Sequence, residues 1–410
     1  MENSRVVITG LGFVTPIGTG KEKFWEAAVK GTCGVRPLKS IDTTDYKTKT
    51  GGEVIDFDPK KYLSTEEIDS MGRSSQMAIA AALEAVEDAK LDLSAENLFR
   101  VAVSMGTTMG EPQILDQCMQ KKYAANGDSS AIPENLPRQY PAGVIPTNVA
   151  RKLGTKGPTT IIPTACAAGN YAMGYAVDQI RLGKIDVAIA GGSDPFSSLA
   201  FTGFNRLLAT TPDVPHPFSI DRNGMAVSEG AGMLIIESLE HAEARGAKIY
   251  AELVGYGATG DAFHMSQPAP NHEGAQRAMK AALKMAGITP DTIDYVNAHG
   301  TSTPFNDRNE SIAIAKVFGD ATKDLNISST KSMTGHLLGA SGGIELVACV
   351  KAMEESIIPP TINYSEKDPE CADLNFTPNN AVEKEVNYAM SNSFGFGGHN
   401  ASIIVKKYVA

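Results

Sequence analysis

Short β-branched segments alternate with longer segments of helical character along almost the whole chain. Five segments have the composition of buried strands that are bounded by glycine or proline: RVVITG, RVAVSMG, TTIIPT, IDVAIAGG and GMLIIES. Between them lie stretches with helical spacing, such as SSQMAIAAALEAVEDAK and GNYAMGYAVDQIRLG. This alternation predicts an α/β fold with a largely parallel sheet covered by helices.

The same alternation starts again after about residue 250. The second series contains YAELVGYG, a helix in GAQRAMKAALKMAG, IDYVNAHG, LNISSTKS, a helix in GIELVACVKAMEE, and two strands around the glycine turn of YAMSNSFGFGGHNASIIVKK. A chain of 410 residues is too long for one small domain. We therefore expect two similar halves, residues 1–250 and 251–410, although their sequences share no convincing identity.

Charge and cysteine content exclude several classes of protein. The 37 basic and 47 acidic residues give a net charge of −10, which disfavours nucleic acid or an anionic membrane as the main partner. No apolar stretch reaches about 18 residues, and the N-terminus lacks the pattern of a signal peptide. The five cysteines show no CxxC spacing, so we expect no disulfide framework and a cytoplasmic location.

The glycine-rich segments do not match known cofactor motifs. GLGFVTPIG lacks the third glycine of a dinucleotide-binding fingerprint, and GTTMGEPQ lacks the lysine of a phosphate-binding loop. The seven histidines show no spacing typical of metal ligands. We therefore expect neither a bound cofactor nor a metal ion.

IIPTACAAGN places Cys166 between a predicted strand and a predicted helix. Free N–H groups and the positive end of the helix dipole would stabilise a thiolate there. The small residues Ala167, Ala168 and Gly169 leave room for a substrate beside the sulfur. A single cysteine of this kind is more often a structural core thiol. Both interpretations, nucleophile and structural thiol, stay open at this point.

Two histidines follow predicted strands in turns that are rich in glycine, serine and threonine. His299 follows IDYVN, while Lys331 and His336 follow LNISS. The carboxyl ends of strands are where α/β enzymes place their chemistry. Either histidine alone is more often structural, but two in such turns favour a functional site.

These groups are sufficient for one reaction. The Cys166 thiolate would take an acyl group from a thioester, and two neutral imidazoles would stabilise the enolate left when a second, carboxylated thioester loses CO2. Backbone N–H groups of FGFGG and of Cys166 would bind the oxyanion. Composition and spacing permit this scheme without establishing it.

In chain order, the sequence contains the four motifs TACAAGN, NAHGTSTP, STKSMTGHLLGASG and SNSFGFGGHNAS. Together they closely resemble the motifs of the β-ketoacyl-[acyl-carrier-protein] synthases, type II in particular. The resemblance covers essentially the whole chain. It implies the thiolase fold, in which duplicated halves form five layers, α-β-α-β-α, usually in a dimer. It also implies decarboxylative Claisen condensation of an acyl group on Cys166 with malonyl-acyl carrier protein, giving 3-oxoacyl-acyl carrier protein. Phosphopantetheine would be carried by the carrier protein, so the enzyme itself would need no cofactor.

The resemblance also assigns roles to residues at matching positions. Cys166 would accept the acyl group, and His299 and His336 would promote decarboxylation and condensation. Lys331 would act through the neighbouring carboxylates Glu310 and Glu345. Asp307 would be a structural acid, Phe396 a gate beside the cysteine, and Met109 a gate of the acyl pocket. The pantetheine contacts would be Thr301, Thr303 and Ser266, and Arg206 would dock the carrier protein.

Two segments depart from the pattern that this resemblance implies. His399 stands where we expect threonine, and YLSTEEIDSMGR presents Glu66, Glu67 and Asp69 where basic residues would dock the carrier protein. Surface drift, a different docking mode, and pairing with a chain-length-factor subunit in a type II polyketide synthase would each explain the acidic segment. A homodimer and such a heterodimer both stay open. So do two other functions, a non-catalytic scaffold and an acyltransferase that loads without condensing.

Overall fold

A computed structural model describes residues 4–409. Its α-helices are α1 (Lys21–Lys30), α2 (Thr65–Asp69), α3 (Arg73–Asp88), α4 (Pro112–Ala124), α5 (Val144–Leu153), α6 (Ala168–Arg181), α7 (Ser198–Arg206), α8 (Leu239–Ala244), α9 (Glu273–Ala286), α10 (Pro304–Phe318), α11 (Lys331–Thr334) and α12 (Ser341–Glu355). Within this part of the chain, none of the helices has both the length and the apolar character needed to cross a bilayer.

Ten strands appear where the sequence predicts them: β1 (Val6–Thr15), β5 (Val101–Gly106), β6 (Thr159–Ile162), β7 (Val187–Asp194), β8 (Gly230–Ser238), β9 (Ala251–Gly260), β10 (Tyr295–Asn297), β11 (Asn326–Ser328), β14 (Tyr388–Gly395) and β15 (His399–Lys407). Five two-residue strands lie outside the predicted segments: β2 (Gly18–Thr19), β3 (Arg36–Pro37), β4 (Thr50–Gly51), β12 (Ile357–Ile358) and β13 (Val382–Glu383).

The main sheet consists of two series of strands with the same topology. Its order is β11-β10-β14-β15-β9-β1-β8-β7-β5-β6. Each series contributes five of these strands. Counted in chain order within a series, the third strand lies at the edge of the sheet, and the second, fourth, fifth and first follow toward its centre. The two series meet where β1 pairs with β9, with Val7 opposite Glu252 and Ile8 opposite Ala251.

The prediction of a largely parallel sheet is wrong, because the sheet is mixed. In the first series β5 runs parallel to β6 and β7, whereas β8 runs antiparallel to β7 and β1. The second series repeats this pattern, with β15 antiparallel to β14 and β9. A tight glycine turn joins β14 to β15, and such a short connection permits only antiparallel pairing.

Helices α6 and α12 lie between the two series of strands and contact both. Thirteen consecutive residues of α12, Ser341–Met353, are buried, as expected for a helix with a sheet on each side. On the outer faces α3 and α5 cover the first series, and α9 covers the second. Helix α10 packs against α9 and shares an apolar cluster with β10 and β11. The result is five layers, α-β-α-β-α, which confirms the expected thiolase fold.

Strand β6 does not have the buried character that its sequence predicts. Its residues are half-buried or exposed, and it pairs on one side only, with β5. The apolar TTII segment is therefore an edge strand in the isolated chain, and its free edge is available for pairing.

The start of α6 packs directly against β5. A Cβ on Gly106 would lie 2.2 Å from the carbonyl carbon of Ala168, the first residue of α6. Only glycine permits this approach, because the conflicting atom belongs to the backbone and cannot rotate away. Gly106 thus fixes how deeply α6 begins in the fold.

We expect Gly106→Ala to lower the free energy of unfolding by about 3 kcal/mol, because the methyl group forces α6 away from β5. The matched control is Gly203→Ala inside α7, where an added Cβ meets no atom within 4 Å. That change should stabilise the protein by roughly 0.5–1 kcal/mol through helix propensity. Urea unfolding of both variants measures the difference, and equal midpoints for Gly106→Ala and the parent chain would contradict the packing argument.

Candidate active site

Cys166 lies in a sharp turn between β6 and α6. Residues Ala165–Ala167 form one 3-10 turn, and Ala165 has a φ of 50°, a left-handed conformation that costs energy in a residue other than glycine. The thiol is 5% exposed. The backbone N–H groups of Phe396 and of Cys166 itself act to lower the pKa of the thiol. The predicted position at the mouth of a helix is therefore observed, next to the glycine turn that contains Phe396.

Burial decides the protonation state of this cysteine. Loss of solvation raises the pKa of the Cys166 thiol to about 12, although the positive charge of Lys331 and the two N–H groups act in the opposite direction. The backbone N–H groups and Lys331 favour the thiolate, as the helix-terminus position predicts, but burial outweighs them. The resting group is a thiol, and its attack on a substrate requires that the proton leaves.

His336 is held in one tautomer. Its Nδ1 accepts a hydrogen bond from the backbone N–H of Leu338 at 3.2 Å and lies 3.1 Å from the hydroxyl of Ser341. A ring nitrogen that accepts from an N–H carries no proton, so the proton is on Nε2. Nε2 is buried and has no partner within residues 4–409. Burial and the charge of Lys331 hold the pKa of His336 well below 6.5, so the ring is a neutral donor.

His299 is positioned by its backbone. Its N–H and that of Gly300 each donate to the carboxylate of Glu310 at 2.8 Å. Burial, with the charge of Lys331 second, lowers the pKa of His299 well below 6.5. The His299 ring lies edge-on to the His336 ring, with centroids 5.4 Å apart. Both imidazoles are therefore neutral at physiological pH.

Lys331 pairs with only one of its two expected carboxylates. Its Nζ forms a buried ion pair with Glu345, whose other oxygen lies 3.4 Å from the Ser393 hydroxyl. Glu310 is occupied by the backbone of His299 and Gly300, so the expectation that it partners Lys331 is not met. The reason is local, since Glu310 lies on α10, which packs beneath the His299 loop.

Asp307 supports the same loop from a neighbouring position on α10. Its carboxylate accepts hydrogen bonds from the N–H groups of Ser302 and Phe218 at 3.1 and 2.8 Å. Ser302 has a φ of 70°. The carboxylate therefore holds a turn that its backbone would not favour, in keeping with a structural role.

Three functional atoms converge at the base of a cavity of about 250 Å³. The sulfur of Cys166 and a ring nitrogen each of His299 and His336 lie within 4.8 Å of one another. A thiol and two imidazoles at this separation suit a covalent nucleophile with two hydrogen-bond donors, and they are also a donor set for zinc. The buried positive charge of Lys331 opposes a cation here and so favours the first chemistry.

Most of the predicted substrate residues line this cavity. Thr301 and Thr303 share a hydrogen bond of 2.9 Å on its wall, and Ser266 and Phe396 lie nearby. Met109 instead packs into the adjoining apolar cluster.

Arg206 lies outside the cavity, at the exposed C-terminal end of α7. The next two residues, Leu207 and Leu208, line the cavity and are 56% and 82% exposed. Phe305 lines it as well and is 62% exposed. The mouth of the cavity is therefore rimmed by apolar side chains.

His272, whose sequence context indicates a surface or loop residue, is in fact part of the cavity wall. It is 3% exposed, its ring lies 4.9 Å from that of Phe394, and burial lowers its pKa to about 4. It lies at a loop–helix junction with a φ of 51°, where no periodicity marks a buried residue. Phe394 lies near the end of β14, where six consecutive residues are buried and no alternation marks the residues that face the cavity.

Local structure explains one residue of the acidic segment, Glu67. Glu67 completes a capping box with Ser64 at the start of α2 and also pairs with Lys152 at 2.9 Å. Its hydrogen bond with the backbone N–H of Ser64, followed by Lys152, lowers its pKa. Glu66 and Asp69 stay exposed on this short helix. One of the three acids is therefore committed to helix formation.

Family models cover most of the chain. The model described as "Beta-ketoacyl synthase, N-terminal domain" matches residues 3–242, and "Beta-ketoacyl synthase, C-terminal domain" matches residues 250–365. The chain belongs to the β-ketoacyl synthase family. This agrees with the resemblance of its four motifs and with the five-layer fold.

This β-ketoacyl synthase is similar over its full length to relatives that share one name. It is 45% identical over 415 residues to 3-oxoacyl-[acyl-carrier-protein] synthase 2 of Staphylococcus aureus (strain COL), covering all of both chains. Identity to the protein of the same name from Synechocystis is 43%, covering all of this chain and 99% of that one.

Solved structures of ketosynthases superpose closely on this synthase. The ishigamide ketosynthase/chain length factor has a TM-score of 0.95 at 42% identity, covering 99% of this chain and all of that one. A type II polyketide synthase acyl-carrier protein in complex with its ketosynthase has a TM-score of 0.92 at 34% identity, with both chains fully covered.

We expect the variant Lys331→Met/Glu345→Gln to raise the pKa of both His299 and His336. The charge of Lys331 disfavours the imidazolium, so its removal favours protonation, and the two rings titrate at higher pH than in the parent chain. Both partners are changed because a lone buried Glu345 would cost about 3–5 kcal/mol of stability.

NMR of labelled histidine rings measures the titration. The matched control is Lys351→Met, which removes a second buried lysine, on α12, that pairs with Glu354 and Glu355. Unchanged histidine titration in the double variant would show that Lys331 does not set the charge state of the site.

Proposed function

We propose that this chain catalyses decarboxylative condensation of an acyl thioester with malonyl-acyl carrier protein, giving 3-oxoacyl-acyl carrier protein in fatty acid or polyketide elongation. The observation that carries the proposal is the convergence of one thiol and two neutral imidazoles at the base of one cavity. Among the alternatives, a scaffold without catalysis has no use for this arrangement, which costs stability through buried polar groups.

In the first half-reaction the acyl group moves to Cys166. The sulfur attacks the thioester carbonyl, the thiol proton passes to the departing pantetheine sulfur, and the carbonyl carbon–pantetheine sulfur bond breaks. The N–H groups of Cys166 and Phe396 bind the oxyanion that forms on the acyl carbonyl. A Cβ on Gly395 would lie 3.1 Å from the N of Cys166, so the glycine turn and the nucleophile are in direct contact.

In the second half-reaction the malonyl group supplies the carbon nucleophile. Its carboxylate leaves as CO2, and the electron pair moves into an enolate. The Nε2–H of His336 points into the cavity, and with His299 it stabilises the enolate oxygen. The carbanion attacks the acyl carbon on Cys166, the carbon–sulfur bond breaks, and the sulfur takes up a proton to restore the thiol.

The cavity wall suits a pantetheine arm carried by a protein. Amide groups of the arm have hydrogen-bond partners in the hydroxyls of Thr301, Thr303 and Ser266. The apolar rim at the mouth, including Leu207, Leu208 and Phe305, offers contacts to the surface of the carrier protein. We further propose Phe396 as the gate beside Cys166, since it packs against Phe204 at 5.8 Å within the cavity.

The free edge of β6 supports assembly with a second ketosynthase-like chain. We propose a homodimer as the working form and a heterodimer with a chain-length-factor subunit as the alternative. The heterodimer is kept as an alternative because the TM-score with the ishigamide ketosynthase/chain length factor is 0.95. In either case residues 1–250 supply Cys166, and residues 251–410 supply His299, His336 and Lys331.

We expect Cys166→Ala to abolish acyl loading, because it removes the sulfur that lies within 4.8 Å of a ring nitrogen of each imidazole. His336→Ala should still load the acyl group but lose condensation by a factor of about 100–1000, the usual cost of one oxyanion donor. Intact-protein mass spectrometry after addition of acyl-carrier protein measures loading, and product analysis after malonyl-carrier protein measures condensation. Acyl loading of the Cys166→Ala variant, or condensation product formed by His336→Ala at the parent rate, would contradict the mechanism.

We also expect the purified chain to complete both half-reactions alone, with a mass in solution twice its 43.4 kDa. Analytical ultracentrifugation and the same mass-spectrometric assay test this together. Activity that appears only when a second, cysteine-less ketosynthase-like chain is added would replace the homodimer with the polyketide-type heterodimer. Loading without condensation under every condition would identify an acyltransferase instead.

A further inference from the structure

A fully buried carboxylate joins two parts of the site that are far apart in sequence. Asp194, the last residue of β7, is 0% exposed. One of its oxygens accepts from the Thr107 hydroxyl at 2.7 Å and the Met109 N–H at 2.9 Å. The other accepts from the N–H groups of Thr108 and Gly339, both at 2.7 Å. Four donors from two separate segments thus share one side chain.

The first segment leads to the acyl pocket. Residues 107–109 follow β5, and Met109 packs in an apolar cluster that includes Phe204, Leu338 and Phe396. Phe204 and Phe396 also line the catalytic cavity. A displacement of the Met109 backbone therefore changes the shape of the apolar wall that an acyl chain on Cys166 meets.

The second segment leads to His336. Gly339 belongs to the 3-10 turn Leu338–Ala340, which connects His336 to α12. In this turn Leu338 has a φ of 55°, and its N–H donates to Nδ1 of His336. The hydrogen bond from Gly339 to Asp194 holds the turn in this conformation. Asp194 therefore acts on the tautomer of His336 without touching the ring.

We propose that Asp194 is a positioning residue that couples acyl-chain selection at Met109 to decarboxylation at His336. The inference rests on the proposed function, because it assigns Asp194 an effect on both half-reactions. It predicts that the two effects are separable, because they depend on different oxygens of one carboxylate.

Asp194→Asn separates them because an amide keeps only one acceptor oxygen. Three of the four donors are backbone N–H groups, which cannot act as acceptors. The Thr107 hydroxyl can rotate and accept a hydrogen bond instead of donating one. The favourable arrangement places the amide oxygen toward Thr108 and Gly339 and the NH2 toward Thr107. The Met109 N–H then loses its acceptor, while the turn after His336 is preserved.

The experiment compares three quantities on the same protein preparation: loading of Cys166, release of CO2 from malonyl-carrier protein, and the ratio of kcat/KM for a short and a long acyl-carrier thioester. For Asp194→Asn we expect the chain-length ratio to change about tenfold, the effect of leaving one buried N–H unpaired. Release of CO2 should stay within about threefold of the parent rate, as expected when the turn that positions His336 is intact.

Asp194→Ala removes both carboxylate oxygens, so residues 107–109 and Gly339 all lose their acceptor. We expect the chain-length ratio to change as well and CO2 release to fall about 100-fold, the usual effect of a displaced catalytic group. Because Leu338 no longer donates firmly to Nδ1, protonation of His336 becomes easier. The acidic limb of the CO2-release profile should therefore move to higher pH in Asp194→Ala and stay in place in Asp194→Asn.

The matched control is Glu111→Gln, a change in another buried carboxylate next to the same segment. Glu111 accepts from the N–H groups of Ser74 and Ser75 on α3, and within residues 4–409 it has no hydrogen bond to the turn after His336. It should leave CO2 release and its pH profile unchanged. A loss of CO2 release in Glu111→Gln equal to that in Asp194→Ala would show that the effect is general loosening, and so overturn the proposal.

Ratios within one preparation do not depend on the folded fraction. A purely structural role for Asp194 would lower all three rates in proportion and leave the chain-length ratio and the pH profile unchanged, which also overturns the proposal. A parent chain that neither loads Cys166 nor releases CO2, with or without a second subunit, would instead refute the proposed function.

Discussion

The close contact between the N-terminal ends of α6 and α12 is the constraint on which the site depends. A Cβ on Gly169 would lie 2.9 Å from the carbonyl oxygen of Gly339, and one on Gly342 would lie 2.5 Å from the side chain of Asn170. Small residues let the two helices start side by side between the sheets. Cys166 and His336 each lie shortly before one of these helices, so helix packing brings the nucleophile to its hydrogen-bond donor.

This packing also fixes the electrostatics of the site. The same burial that brings the helices together keeps the Cys166 thiol protonated and both imidazoles neutral. Neutral imidazoles donate to a developing enolate without first stabilising a bound malonyl carboxylate, and this difference between ground state and transition state is what accelerates decarboxylation. The Lys331–Glu345 ion pair contributes by placing a fixed positive charge where it opposes imidazolium formation.

The sequence patterns predicted the elements well and their spatial relations less well. Strand and helix positions follow from local composition, and the motifs identified Cys166, His299 and His336 as neighbours. Strand direction and edge position, as for β6, depend on pairings between distant segments that no local pattern encodes. The partner of Glu310 was predicted wrongly for the same reason. Asp194 was within reach of prediction, since it stands at the carboxyl end of a predicted strand, as the residues of the site do.

Three buried carboxylates, Asp194, Asp307 and Glu310, take over backbone N–H groups in the loops around the site. Each accepts from at least two such groups, and burial raises the pKa of each: to about 6 for Asp194 and Asp307, and to about 7 for Glu310.

A raised pKa means that the folded chain holds these groups ionised less readily than the unfolded chain does. Their contribution to the free energy of unfolding therefore decreases as the pH rises from about 4 through these values. At neutral pH the fold gives up stability at the loops that shape the cavity. A close-packed apolar interior would avoid that loss, but it could not hold those loops in the conformations that aim His299 and His336 at Cys166.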